Sequence, residues 1–192
     1  MPSLCGLELM TLSYSQSHKP LHEQDTIEGH SVRALYLTTA AADLGGEFLK
    51  DAQRLFTDAV DKKMYATGGL GSRPRVSLRG LSTTISAQML TNQTEGFHTE
   101  PYRLPQSTNE GGCYAETCAS IACMMTAERI LSHSIEPKAR DILERCLYNN
   151  VIGGGSLDGT KFSYANKHAT YDDETAIRND WFEGESRYSE LA

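Results

Sequence analysis

The chain has 192 residues, a length that suits one domain with a buried core. Its 18 Lys and Arg residues face 25 Asp and Glu residues, and the net charge of -7 argues against a nucleic acid partner, because phosphate binding needs a basic face. The mean hydropathy is -0.43, and no apolar run approaches the roughly 20 residues that span a bilayer, so we expect no membrane partner either.

The cysteines indicate a reducing setting. They are odd in number and irregular in spacing, unlike the disulfide framework of a small secreted domain: Cys5, Cys113, Cys118, Cys123 and Cys146. No Cys-x-x-Cys pair occurs, so a closed four-thiolate zinc site is not expected. The first 20 residues lack the basic start and apolar centre of a secretory signal. A cytoplasmic location follows as the expectation.

The first half of the chain predicts two helices after an irregular N-terminal segment, residues 1–21. Apolar side chains recur with a helical period from Val32 to Leu44, and Gly45-Gly46 is expected to end that helix. The same period from Phe48 to Val60 predicts a second helix whose apolar face packs in the core. The basic residues that come after Val60 complement the negative end of the helix dipole.

Residues 64–112 carry several glycines and no helical period, which predicts a long loop that is functional or inserted. Two more helices are predicted from Cys118 to Leu131 and from Ile135 to Leu147, with Gly153-Gly154-Gly155 ending the helical part. Lys161–Tyr164 is predicted to be a short strand or an extended link. Two helical hairpins joined by a glycine-rich loop make the fold class mainly α.

The stretch Tyr114–Cys118 sets a carboxylate two positions before a thiol at the start of a helix. Inside a helix Glu116 and Cys118 would point roughly 200° apart and could not share an ion. In an extended stretch just before the helix they would lie on one side. A helix N-terminus is also expected to lower the thiol pKa, which favours metal binding. The alternative is a capping glutamate beside a buried, inert thiol.

Two other cysteines are predicted to lie in the core. Cys123 follows Cys118 by five positions and should face elsewhere, and Cys146 falls on an apolar helical stripe. Cys113 remains an alternative metal ligand. The Gly68–Ser72 run lacks the Lys-Ser/Thr end of a P-loop, so we do not expect it to bind a nucleotide.

Six strings occur in a fixed order along the chain: 29–37 (GHSVRALYL), 65–72 (YATGGLGS), 95–97 with 101–105 (EGF, PYRLP), 113–119 (CYAETCA), 144–150 (ERCLYNN) and 156–159 with 162–166 (SLDG, FSYAN). In this order they resemble the catalytic domain of glycoside hydrolase family 127, the β-L-arabinofuranosidase-like enzymes. The resemblance covers residues 22–182 and implies a fragment of an (α/α)6 barrel. Residues 74–92 would be an insertion, and residues 183–192 a tail that the family does not share.

The resemblance also implies a chemistry. In that family a cysteine thiolate attacks the anomeric carbon, a glutamate is the general acid/base, and zinc is held by one glutamate and three cysteines that include the nucleophile. Glu116 and Cys118 match the metal glutamate and the first cysteine. Glu95 matches the acid/base, with Glu100 as a rival because the spacing to the following Leu-Pro is one residue longer than the family pattern.

His30 and Tyr164 match the histidine and tyrosine that contact the sugar in the family. Each also has an ordinary explanation, since a satisfied buried histidine and a half-buried tyrosine would leave the same pattern. A solvated loop would likewise explain the two candidate acid/base carboxylates. The partner implied by the resemblance is a small carbohydrate, an L-arabinofuranoside or a similar sugar.

The chain departs from the family after its Trp-Phe pair. The family carries a Cys-Cys-Pro-Pro motif there, which supplies the nucleophile and another zinc ligand, whereas Trp181-Phe182 leads here to Glu183 and no cysteine follows Cys146. A fault in the gene model would explain both this change and the insertion. The zinc site is then expected to be incomplete or absent in this chain.

Three hypotheses follow. The chain is a fragment of a glycosidase; or it is an inactive, truncated product with at most weak carbohydrate binding; or it is a helical interaction scaffold. A piece of a closed barrel would also expose apolar faces meant for neighbouring helices, so we expect poor solubility and self-association.

Overall fold

A computed structural model describes residues 12–71, 115–166 and 168, with the backbone alone at 73–74 and 96–97. Within these residues the chain forms α1 (Ser31–Leu44), α2 (Gly46–Lys62), α3 (Thr117–His133) and α4 (Pro137–Cys146). A 3-10 turn (Leu21–Glu23) precedes α1, and a π-helix (Leu147–Ile152) continues α4. Strands β1 (Arg73–Pro74) and β2 (Gly96–Phe97) pair antiparallel. The prediction of a mainly α fold is confirmed.

The helix ends lie where glycine and proline predict them. Gly45 and Gly46 both have positive φ, of 69° and 57°, a conformation that suits glycine, and they separate α1 from α2 by one residue. Pro137 lies in the first turn of α4, where its missing N–H has no helical partner to lose. Each of the two helix pairs is therefore joined by a short connection.

The first helices of the two pairs pack side by side and run in the same direction. The hydroxyl groups of Thr39 in α1 and Thr126 in α3 lie 2.9 Å apart. Further along both helices, Asp43 of α1 forms an ion pair with Arg129 of α3 at 2.9 Å. Later residues of α1 thus meet later residues of α3, which defines a parallel pair.

One apolar core lies between these helices. Small alanines let α1 and α3 approach closely. The larger side chains of the core come from all four helices: Leu35, Leu55, Phe56, Ile130, Ile142 and the two cysteines, Cys123 and Cys146. Both cysteines are fully buried, as predicted.

One detail of the prediction is wrong. Phe48, assigned to the apolar face of α2, lies in the first turn of that helix and is half exposed. The end of the helical part at the triple glycine is confirmed, because the π-helix after α4 has Gly153 as its C-cap. Of the proposed domain boundaries, residues 75–92 and 183–192 lie outside the described part. Among the described residues, no helix is long and apolar enough to cross a membrane.

Candidate active site

The frame of the site is a short backbone pairing that precedes α3. The amide of Thr117 donates to the carbonyl of Tyr164 at 2.8 Å, and the amide of Asn166 donates to the carbonyl of Ala115 at 3.0 Å. The predicted extended link near Lys161–Tyr164 therefore forms isolated β-bridges with its neighbours. This pairing holds the Tyr164 segment against the start of α3.

Side chains reinforce the same pairing. The Thr117 hydroxyl donates to the carbonyl of Ser163 at 2.8 Å. The Asn166 side-chain amide lies 3.1 Å from the carbonyl of Ala115 and 3.0 Å from the Thr117 hydroxyl oxygen, and donates to both. The backbone on each side of Glu116 is thus held by several hydrogen bonds.

Glu116 and Cys118 face one another. Glu116 is the N-cap residue of α3, with φ -64° and ψ 138°, so the chain is extended there and becomes helical only at Thr117. The Cys118 thiol consequently lies 3.7 Å from Oε2 of Glu116. The Glu116 side chain is fully buried and makes no capping hydrogen bond, so the capping alternative is wrong.

Tyr164 joins this pair from the extended segment. Its hydroxyl oxygen lies 3.1 Å from Sγ of Cys118, and both side chains are only partly exposed. The structure therefore adds a phenol, selected separately from the sequence, to the predicted pair of a carboxylate and a thiol. We call Glu116, Cys118 and Tyr164 the thiol cluster.

The predicted lowering of the Cys118 pKa is wrong. Burial of the thiol and the nearby Glu116 carboxylate raise the pKa of Cys118 to about 11. The hydrogen bond from Tyr164 and the backbone amide of Ala119, at the N-terminus of α3, act in the opposite direction but are outweighed. In this environment the thiol is held neutral at neutral pH.

His30 occupies the N-cap position of α1. Its Nδ1 accepts a hydrogen bond from the Arg33 amide at 3.1 Å, and its buried ring meets the edge of the Tyr14 ring at 5.5 Å between centroids. These contacts fit the ordinary explanation of a satisfied histidine. The sugar contact expected of His30 stays a prediction.

The two acid/base candidates, Glu95 and Glu100, and the alternative ligand Cys113 lie outside the described residues. The backbone immediately after Glu95 is described, because β2 begins at Gly96 and pairs with β1. β2 also lies near α1. The roles of these three residues remain predictions.

The part that the glycine-rich turn plays in this site was not predicted from the sequence. The turn at Tyr65–Gly69 closes through hydrogen bonds between Tyr65 and the glycines, and Gly71 accepts the amide of Ala115 at 3.0 Å. The turn therefore contacts the residue that precedes Glu116. Its string was recognised as part of the resemblance, but nothing in the local pattern linked it to position 115.

Glu116 and Cys118 fit one edge of a zinc site. A carboxylate oxygen and a thiolate sulfur are both common zinc donors, and these two lie close enough to approach one ion. In the part of the chain that the structure describes, no three or more His, Cys, Asp or Glu residues form a group able to hold a metal. The described residues thus offer a partial donor set.

Comparison with known proteins agrees with the resemblance. Residues 4–186 match the family model described as β-L-arabinofuranosidase, GH127 catalytic domain. A non-reducing end β-L-arabinofuranosidase of Bifidobacterium longum subsp. longum is 37% identical over 168 residues, which cover 84% of this chain and 22% of the relative. The chain thus spans about a fifth of the length of this curated relative.

Solved structures give the same result. A GH127 β-L-arabinofuranosidase from Geobacillus stearothermophilus T6 superposes with a TM-score of 0.65 at 36% identity, over 84% of this chain and 22% of that one. A second structure, a GH127 β-arabinofuranosidase, gives a TM-score of 0.62 at 34% identity over 81% of this chain and 22% of the other. A third, a glycoside hydrolase, gives a TM-score of 0.67 at 31% identity over 84% of this chain and 26% of the other.

Proposed function

Because this chain belongs to the GH127 β-L-arabinofuranosidase family, we propose that its thiol cluster is part of a centre that binds and cleaves L-arabinofuranosides or similar sugars. The observation that carries the proposal is the meeting of Glu116, Cys118 and Tyr164 at 3.7 and 3.1 Å around one sulfur. A helical scaffold has no need for such a polar group at the start of a core helix.

Glu116 and Cys118 are proposed to supply two ligands to zinc. Zinc, when bound, would supply the positive charge that lets a carboxylate and a thiolate remain adjacent. Glu116 contributes a carboxylate held in a fixed place by the backbone pairing on both sides of it. Cys118 contributes a sulfur at the N-terminus of α3, where the amide of Ala119 favours negative charge.

Tyr164 is proposed to orient the sulfur and a sugar hydroxyl. A phenol both donates and accepts, so its O–H can donate to an anionic sulfur while its oxygen accepts from a sugar hydroxyl. His30 is the second proposed sugar contact. Glu95, with Glu100 as the rival, is the proposed acid that protonates the departing oxygen.

We further propose that the described helices are part of an (α/α)6 barrel. The parallel pairing of α1 with α3, each followed by a second helix after a short connection, supports this arrangement. The described helices would then form two adjacent hairpins of the barrel wall, with the thiol cluster at the beginning of α3.

A second candidate function concerns the 192-residue chain alone. Directly after Trp181-Phe182, where the resemblance places the nucleophile, its sequence has Glu183 and Gly184 instead of two cysteines. We therefore propose that this chain binds the sugar weakly and does not cleave it. Release of 4-nitrophenol from a 4-nitrophenyl β-L-arabinofuranoside by the purified chain, abolished in Cys118→Ser, would overturn this second proposal and support catalysis.

Metal binding tests the first proposal. Through the two ligands that it retains, the purified chain should bind Zn²⁺ weakly, measured by equilibrium dialysis with elemental analysis, and Glu116→Gln and Cys118→Ser should each lose this binding. Glu128→Gln is the matched control, because Glu128 lies on the exposed side of the same helix. Equal zinc content in all four proteins would contradict a ligand role for the cluster.

A further inference from the structure

The π-helix buries a polar side chain beside the glycine-rich turn. Asn150 lies in Leu147–Ile152 and is 1% exposed. A π-helical turn is rare, and such turns are frequent at functional sites. The polar side chain of an asparagine buried this deeply needs hydrogen-bond partners inside the protein.

Those hydrogen bonds join the π-helix to the turn and to α3. Nδ2 of Asn150 donates to the carbonyl of Thr67 at 3.3 Å and to the hydroxyl of Ser120 at 3.1 Å. The Ser120 hydroxyl in turn donates to the carbonyl of Gly68 at 3.2 Å. Asn150 and Ser120 therefore hold two consecutive carbonyls of one turn.

The turn transmits this constraint to the residue before Glu116. The Gly71 carbonyl accepts the Ala115 amide, and a Cβ at Gly69 would lie only 2.8 Å from the Cβ of Ala115. Ala115 is fully buried with φ of 45°, a left-handed conformation that a residue with a Cβ adopts only when its surroundings impose it. The glycine-rich turn therefore packs against Ala115 and helps to impose its left-handed conformation.

Gly154, just after the π-helix, contacts the segment that carries Tyr164. The Gly154 carbonyl accepts the amide of Ser163 at 2.7 Å, and a Cβ at Gly154 would lie 2.6 Å from the carbonyl oxygen of Asn150. The π-helix and the glycines that follow it therefore connect the glycine-rich turn to the segment that carries Tyr164.

We propose that Asn150 is a positioning residue for the thiol cluster, acting through Ser120 and the Gly68–Gly71 turn to set the backbone of Ala115 and hence the place of Glu116. This inference rests on the proposed function of the cluster. Asn150 itself bonds to Thr67 and Ser120 and to neither the sulfur nor the carboxylate, so its effect is transmitted by the turn.

Amide hydrogen exchange of the 192-residue chain tests the proposal without any metal or substrate. Below the unfolding temperature, Asn150→Ala should accelerate exchange by about tenfold or more at Thr117 and Asn166, whose amides form the pairing, and at Ala115, whose amide donates to Gly71. Ser120→Ala should accelerate it by less. The matched control is Thr126→Val, which removes another buried hydroxyl of α3 that bonds the Leu35 carbonyl instead of the turn.

Acceleration at the pairing in Asn150→Ala and Ser120→Ala but not in Thr126→Val would support the proposal. Unchanged exchange at the pairing in Ser120→Ala, or the same change in a Thr126→Val protein of equal stability, would overturn it. Ser120→Ala removes a single oxygen and should leave the fold intact. Its exchange rates therefore test the connection from the π-helix to the pairing even if Asn150→Ala does not fold.

A Cd²⁺ titration separates this proposal from the proposed metal role. Loss of a residue that orients a ligand typically weakens metal binding by about 10- to 100-fold. We expect that loss of Cd²⁺ affinity in Ser120→Ala and not in Thr126→Val, and unchanged affinity in Ser120→Ala would overturn the positioning role. If the unmutated chain binds no Cd²⁺, the metal role fails while the exchange result still decides the role of Asn150.

Discussion

The hydroxyl oxygen of Tyr164 lies 3.1 Å from the sulfur of Cys118, although 46 residues separate them in the chain. The contact exists because the backbone of Tyr164 pairs with Thr117 just before α3 begins. Glu116, two residues before Cys118, contacts the same sulfur through its carboxylate. Besides burial, two neighbours with opposite effects therefore act on the pKa of Cys118.

Tyr164→Phe should make Cys118 less reactive. The Tyr164 hydrogen bond lowers the thiol pKa, so its removal raises the pKa above about 11 and leaves less thiolate at a given pH. A hydrogen bond worth about 1 kcal/mol corresponds to a roughly fivefold slower alkylation by iodoacetamide at pH 9. Peptide mass mapping of Cys118 measures the rate, and Tyr148→Phe, an exposed tyrosine, is the control. A faster rate in Tyr164→Phe would contradict the assignment.

Glu116→Gln should have the opposite effect. Burial is the largest cause of the raised Cys118 pKa, and the Glu116 charge is the second, so removal of that charge lowers the pKa and accelerates alkylation. In the unmutated chain the alkylation rate should climb about tenfold per pH unit until it levels near pH 11, and in Glu116→Gln it should level at lower pH. Glu128→Gln should leave the profile unchanged.

Because of Asp58, the free energy of unfolding of the chain should fall at acidic pH. Burial raises its pKa, but the hydrogen bond from Lys62, the Ile27 amide and the charge of Lys63 together outweigh burial and hold the pKa below its ordinary value. A depressed folded-state pKa contributes stability above the unfolded pKa of 3.8, and this contribution is lost as pH falls through the folded pKa.

Urea unfolding across pH 2 to 7 measures this contribution. Asp58→Asn should lower the free energy of unfolding at pH 7 by about 1–3 kcal/mol and flatten its decline below pH 4. Asp61→Asn is the control, because Asp61 is half exposed in its ion pair with Lys138 and should cost about 0–1 kcal/mol. Parallel pH profiles for Asp58→Asn and the unmutated chain would refute the linkage.

Gly69→Ala should destabilise the chain through Ala115. The new Cβ would lie 2.8 Å from the Cβ of Ala115, and such overpacking costs about 1–3 kcal/mol. Ala115→Gly removes the opposing Cβ and suits the positive φ at that position, so the double variant should recover most of the loss. Thermal unfolding of the four proteins gives the coupling, and additive effects would show that the two residues do not contact.

Self-association should depend on apolar side chains around the turn between α1 and α2. Leu44 is 70% exposed and Phe48 is 50% exposed, one on each side of the glycine pair. Sedimentation velocity of the 192-residue chain should show concentration-dependent association that the double variant Leu44→Glu, Phe48→Glu reduces. Ile135→Glu, a change at another exposed apolar residue, is the control. A monodisperse monomer with a sharp cooperative melt would contradict the prediction.

Local pattern in the sequence determined the helices of the described part. The apolar period of α1 and α3, the glycine pair after Leu44 and Pro137 at the start of α4 are properties of neighbouring residues, so they place helix ends without knowledge of the fold. The same is true of the burial of Cys146, which falls on an apolar helical stripe, and of Cys123, which follows Cys118 by five positions and faces elsewhere. The family could likewise be identified, because its strings occur in order along the chain.

Tertiary structure alone decided the chemistry of the thiol cluster. The pairing of Tyr164 with the start of α3 joins distant segments, and the contact of the glycine-rich turn with Ala115 crosses from one helix pair to the other, so no local pattern reveals either. The pKa of Cys118 was predicted in the wrong direction because burial and the facing carboxylate, which only packing creates, outweigh the helix N-terminus that the sequence does show.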